Sequence, residues 1–69
     1  MTIGEKIKEL REANGLQKKQ LTEKIGVNHN AVAAWERGEY EPSVFNCILL
    51  ADVFGVTLDE LCCRGDYND

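Results

Sequence analysis

At 69 residues, 43% of them hydrophobic, the chain has material for one domain, near the lower size limit at which an apolar core holds without disulfides or a metal. No apolar run approaches the ~20 residues that span a bilayer, and the N-terminus lacks the apolar stretch of a secretory signal, so the expectation is a cytoplasmic, non-membrane protein. The formal net charge of −4 argues against a polyanionic partner, but residues 1–38 carry seven Lys and Arg against five Glu while residues 39–69 carry one Arg against seven acids. The first half is therefore net basic, a modest pointer to directional electrostatics.

In chain order, Thr2 and Glu5 have the capping-box form, and Ile3, Ile7 and Leu10 follow as an apolar stripe, which predicts a first helix over Ile3 to Ala13. Asn14-Gly15 stops it. A second helix is expected over Lys18 to Ile25, with Leu21 and Ile25 on one face, and Gly26 can take the left-handed conformation that ends it. Asn28 can cap a third helix, His29 to Arg37, whose Val32 and Trp35 share the inward face. Two short helices joined by a tight turn form a helix-turn-helix, leaving His29, Asn30, Ala33 and Ala34 on the outer face of the second. Gly38 closes this helix, and Pro42 disfavours helical geometry at Glu41.

Ser43 then caps a fourth helix, Val44 to Phe54, closed by Gly55, and Thr57 with Glu60 repeats the capping box ahead of a last short helix ending near Cys63. Residues 1–63 form the domain and residues 64–69 a polar tail. No stretch alternates as a strand does, so the fold class is all-α, with five helices. The expected core is Ile3, Ile7, Leu10, Leu21, Ile25, Val32, Trp35, Ile48, Ala51, Val56, Leu58 and Leu61. With the inward stripe of the fourth helix placed on Val44, Ile48 and Ala51, a second apolar face of Phe45, Leu49 and Val53 is expected to join two copies as a homodimer through this helix and the C-terminal end. The alternative is a wider buried stripe covered by the tail through Tyr67.

Competing chemistries find little support. His29 and the three cysteines, Cys47, Cys62 and Cys63, have no metal-ligand spacing, so neither a metal nor a cofactor is expected, and Cys47 reads as a small core residue. No paired carboxylates, nucleophile–base arrangement or glycine-rich phosphate loop occurs, and a chain this short leaves no room for an enclosed substrate pocket. The expectation is that it is not an enzyme and holds no small-molecule effector site.

The segments IGEKIKELREANGL (Ile3 to Leu16), QLTEKIGV (Gln20 to Val27), AWERGEYEPS (Ala34 to Ser43) and LADVFGVTLDEL (Leu50 to Leu61) together resemble the lambda-repressor-like helix-turn-helix domains, the Cro/C1 or XRE group. That resemblance implies a five-helix bundle and a transcriptional regulator, by expectation a repressor, whose third helix enters the major groove of double-stranded DNA. His29, Asn30, Ala33 and Ala34 would then face base edges, with Asn30 able to make a bidentate contact to adenine. Lys18, Lys19, Asn28 and Arg37 would meet phosphates, although Arg37 can equally pair with Glu36 or a helix-one acid. Two features depart from the family pattern: the loop after Gly38 carries Glu39 and Glu41, and the outer face of the third helix has no Arg or Lys among its reading residues. A protein-interaction or antitoxin-like module on the same fold is the alternative function.

Overall fold

A computed structural model describes residues 1–62; Cys63, the tail with Tyr67 and the proposed domain boundary lie outside the described residues. Five helices follow in order: α1 (Ile3–Ala13), α2 (Lys18–Ile25), α3 (Ala31–Arg37), α4 (Val44–Phe54) and α5 (Leu58–Leu61), with no strand among the described residues. The caps account for most of these bounds. Thr2 Oγ1 accepts from the Glu5 N–H while Glu5 Oε1 accepts from the Thr2 N–H, which satisfies two orphan donors of α1 at once. Ser43 caps α4 and Thr57 caps α5 through their hydroxyls.

In the packing, α3 lies against both α1 and α2; α2 also meets α4, and α5 bridges α4 and α1. Ile7, Leu21, Val32, Leu50 and Leu61, one from each helix, are completely buried and meet with Trp35 in the middle. Removing a side chain such as Trp35 from this centre costs on the order of 3–5 kcal/mol, a large part of the stability of a domain this size.

Gly4 explains how α1 comes so close to α3. It is buried, and a Cβ there would overlap the Trp35 carbonyl. A glycine inside a helix costs roughly 0.5–1 kcal/mol relative to alanine; here the missing methyl lets two backbones touch. The spacing of Ile3, Ile7 and Leu10 gives no sign of this contact.

The predicted core needs one correction. Ile7, Leu21, Ile25, Val32, Trp35, Ala51 and Leu61 are buried, and Ile3, Leu10 and Val56 pack partly against them. Ile48 and Leu58, however, stand 42% and 41% exposed, and Val44 stands 75% exposed. The inward stripe of α4 is instead Cys47, Leu50, Ala51 and Phe54. Its sequence, VFNCILLADVF, is apolar around most of its circumference, so more than one stripe satisfies helical spacing and only packing against α2 and α5 selects the buried one.

Candidate nucleic-acid interface

The turn between α2 and α3 is built from three local choices. Gly26 sits at φ 73°, ψ 35°, and its N–H donates to the Thr22 carbonyl at 2.9 Å, closing α2 in the left-handed conformation. Half-buried Val27 packs against the core and anchors the turn. Asn28 Oδ1 then accepts from the Asn30 N–H at 2.9 Å while its carbonyl accepts from the Ala31 N–H at 2.9 Å. Asn28 thus caps, but it caps a turn over residues 28–30, and the helix proper begins at Ala31 rather than His29. His29 and Asn30 are exposed at its threshold.

Along α3 the outward strip is narrow. Asn30, Ala33 and Arg37, spaced by three and four residues, line it, with Ala33 partly exposed. Ala34 does not belong there: it is only 8% exposed and lies with Val32 and Trp35 in the interior. A seven-residue helix packed by α1 on one side and α2 on another has room for a single outer strip, and Ala34 falls off it.

At the start of α2 the electrostatics are unusual for a helix left alone. Gln17 is extended, its N–H donating to Gln20 Oε1 at 2.7 Å, and Lys18 and Lys19 follow, both exposed, with no acid in the first turn. The first turns of α1 and α5 hold Glu5 and the pair Asp59 and Glu60, the charges a helix dipole favours. Two cations at the positive end of a dipole oppose it by roughly 0.3–1 kcal/mol each, and an incoming anion relieves both. Gln17 and Gln20, which the reading of the sequence passed over, order the end to which that anion would come.

Arg37 does not pair with Glu36 or with a helix-one acid. Its Nε lies 2.6 Å from Glu39 Oε2 and its Nη2 3.2 Å from Oε1. This hydrogen bonding holds the Glu39 carboxyl below the usual carboxylate range and the guanidinium above its own. The pair is solvent-exposed, so its net hold is weak and a phosphate can compete for Arg37.

Glu36 is committed elsewhere. Arg11 Nε donates to Glu36 Oε2 at 2.7 Å, Nη2 donates to Oε1 at 3.2 Å, and Nη1 donates to the Leu16 carbonyl at 2.8 Å. The two side chains are only 9% and 5% exposed. A single guanidinium therefore ties α1 to the end of α3 and to the backbone just ahead of α2, fixing α2 and α3 relative to each other. Arg11 lies four residues after Ile7 on the inward stripe of α1, and that register, a charge in line with a buried apolar row, was the available signal for the pair.

On α4 the expected dimer face is only partly outward. Phe45 is 69% exposed, but Leu49 and Val53 pack partly against the core. The exposed apolar surface is Val44, Phe45 and Ile48, with exposed Tyr40 in the preceding loop. Rotation of α4 to bury Cys47 and Leu50 moved the face by one position. Among the described residues no group of three or more His, Cys, Asp or Glu could hold a metal, and no helix is long and apolar enough to cross a membrane.

Comparison with known proteins places this geometry. A helix-turn-helix family model matches residues 7–61. The HTH-type transcriptional activator BcrR of Enterococcus faecalis is 34% identical over 61 residues, covering 88% of this chain and 30% of BcrR. The cryptic phage CTXphi transcriptional repressor RstR of Vibrio cholerae serotype O1 is 31% identical over 64 residues, covering 93% of this chain and 57% of RstR. The chain thus spans under a third of the first relative and little more than half of the second. Among solved structures, the P22 c2 repressor in complex with synthetic operator 9T superposes with a TM-score of 0.83 at 30% identity, over 88% of this chain and 92% of that one. With most of its length matched by sequence and fold alike, the chain belongs to the Cro/C1-type helix-turn-helix family.

Proposed function

We propose that the chain is a sequence-specific, DNA-binding transcriptional regulator that presents the α2–α3 turn and the outer strip of α3 to the major groove. The observation that carries this reading is the pairing of exposed His29 and Asn30 at the threshold of α3 with an α2 N-terminus that holds Lys18 and Lys19 against its own dipole. Asn30 reads an adenine through its amide, His29 meets a neighbouring base edge or phosphate, and Ala33 gives clearance or meets a thymine methyl. Ala34, being buried, takes no part. Lys18, Lys19 and Arg37 neutralise phosphates, and Asn28 holds the turn that sets His29 and Asn30 in place. The family likeness supports this reading, since the P22 c2 repressor was solved on an operator. Such a domain acts most simply by occluding a promoter, hence by repression, and it works where the DNA is, in the cytoplasm.

The second part of the proposal is a homodimer through α4, carried by the exposed Tyr40, Val44, Phe45 and Ile48. A two-fold pair joined there would set two recognition helices about 34 Å apart, one turn of DNA, and read an inverted repeat. Avidity then compensates for the few phosphate contacts in each half.

Titration of duplex DNA at several salt concentrations tests the first part. Affinity should fall steeply with salt, and Lys18→Ala should weaken binding to all sequences while lowering the log–log slope by about 0.9. Absence of binding even at low salt would give the surface to a protein partner, as in an antitoxin-like module. For the second part, wild type should sediment as a dimer at micromolar concentration and Phe45→Glu as a folded monomer; a monomeric wild type, with or without DNA, refutes it.

A further inference from the structure

Cys47 and Cys62 come together from different helices. Cys47 projects from the inner face of α4, Cys62 follows α5 as its C-cap, and both line one cleft with Trp35, Gly38 and Pro42. Cys47 is buried, with its Sγ 3.8 Å from the Pro42 carbonyl, to which it donates; Cys62 is half-buried and packs against the same core cluster. Both are free thiols. Burial first, and then the Cys62 sulfur beside it, push the Cys47 thiol up to about 11. Neither cysteine has a part in the surface assigned to DNA.

We propose that Cys47 and Cys62 are a vicinal dithiol that a low-molecular-weight disulfide of the glutathione type converts to an intramolecular disulfide, making this cleft a redox-modifiable site. Cys62, the more accessible sulfur, attacks first as its thiolate: one sulfur–sulfur bond of the oxidant breaks, a mixed disulfide forms on Cys62, and the first small thiol leaves. The Cys47 sulfur, losing its proton to solvent, then attacks the Cys62 sulfur and expels the second small thiol. Two protein thiols are oxidised and one small disulfide is reduced to two thiols. The new bond ties α4 to the end of α5 and withdraws the S–H that Cys47 gives to the Pro42 carbonyl, at the end of the loop leaving α3.

The test equilibrates the full chain and its Cys63→Ser and Cys62→Ser variants in buffers of oxidised and reduced glutathione. Acid quenching, alkylation under denaturing conditions and mass spectrometry then count the free thiols. Cleavage before aspartate separates the two cysteines, because Asp52 and Asp59 lie between them. Cys63→Ser should lose both alkylation sites on oxidation and yield the fragment with Cys47 joined to the fragment with Cys62, in a monomeric chain. Cys62→Ser should keep Cys47 alkylatable throughout. A Cys63→Ser chain that stays fully alkylatable, a Cys62–Cys63 or Cys47–Cys63 bond, or disulfides only between chains would each overturn the proposal.

Discussion

Arg11→Met probes the ion pair on which the relation between α2 and α3 depends. The substitution removes both contacts to Glu36, at 2.7 and 3.2 Å, and the 2.8 Å bond to the Leu16 carbonyl, leaving a carboxylate that is 5% exposed without its cation. Breaking one side of a buried pair costs about 3–5 kcal/mol, and the backbone hydrogen bond adds about 1 kcal/mol. A domain of this size holds on the order of 3–10 kcal/mol in total, so the variant should be near or past its unfolding point at 25 °C. Arg11→Met with Glu36→Leu should recover most of the loss, because two apolar side chains fill the space without an orphaned charge. Urea denaturation with a double-mutant cycle measures this directly. If Arg11→Met costs less than about 1 kcal/mol, or if the two substitutions simply add, the pair does not hold α1 to α3 and the reasoning fails.

Gly4→Ala should destabilise despite the better helix propensity of alanine, by roughly 1–3 kcal/mol, since the added methyl overlaps the Trp35 carbonyl; a gain in urea midpoint would show that α1 can move away freely. The Cys47 thiol, pushed up to about 11 chiefly by burial, contributes stability that is fully present below pH 9 and is lost as the pH rises through 11; Cys47→Ala, compared by urea unfolding at pH 8 and 11, should flatten this part of the profile. Glu39→Gln should release Arg37 and tighten non-specific DNA binding at low salt, with the gain fading as salt screens the phosphates; unchanged affinity would mean that the Arg37 end of α3 points away from the duplex.

The helix bounds were readable where termination is a local event. Thr2 with Glu5, Gly26, Ser43 and Gly55 each satisfy or end a helix through neighbours within a few residues, and α1, α2 and α4 run between the residues those signals predicted. At Asn28 the same chemistry misled: its side chain binds the Asn30 N–H two residues on, so the polar stretch is a turn and α3 starts later. What could not be read was decided by packing between distant segments. Arg11 and Glu36 stand 25 residues apart, Gly4 meets Trp35 across two helices, and nothing within VFNCILLADVF distinguishes the face that covers α5 from the face left to solvent. For the site, residue types at the turn and at the start of α2 were legible, because capping and dipole chemistry act locally. The burial of Ala34 was not, since it depends on how closely α1 and α2 enclose a seven-residue helix.

Selection of bound duplexes from a random library, carried out with wild type and with Asn30→Ala, bears most directly on the proposed function. Wild type should enrich an inverted repeat whose half-sites lie one helical turn apart, each with an adenine that Asn30 reads, and Asn30→Ala should lose the preference at that position alone while the rest of the motif persists. Enrichment of no motif by the wild type, or the same motif from both proteins, would contradict the assignment of sequence recognition to the threshold of α3.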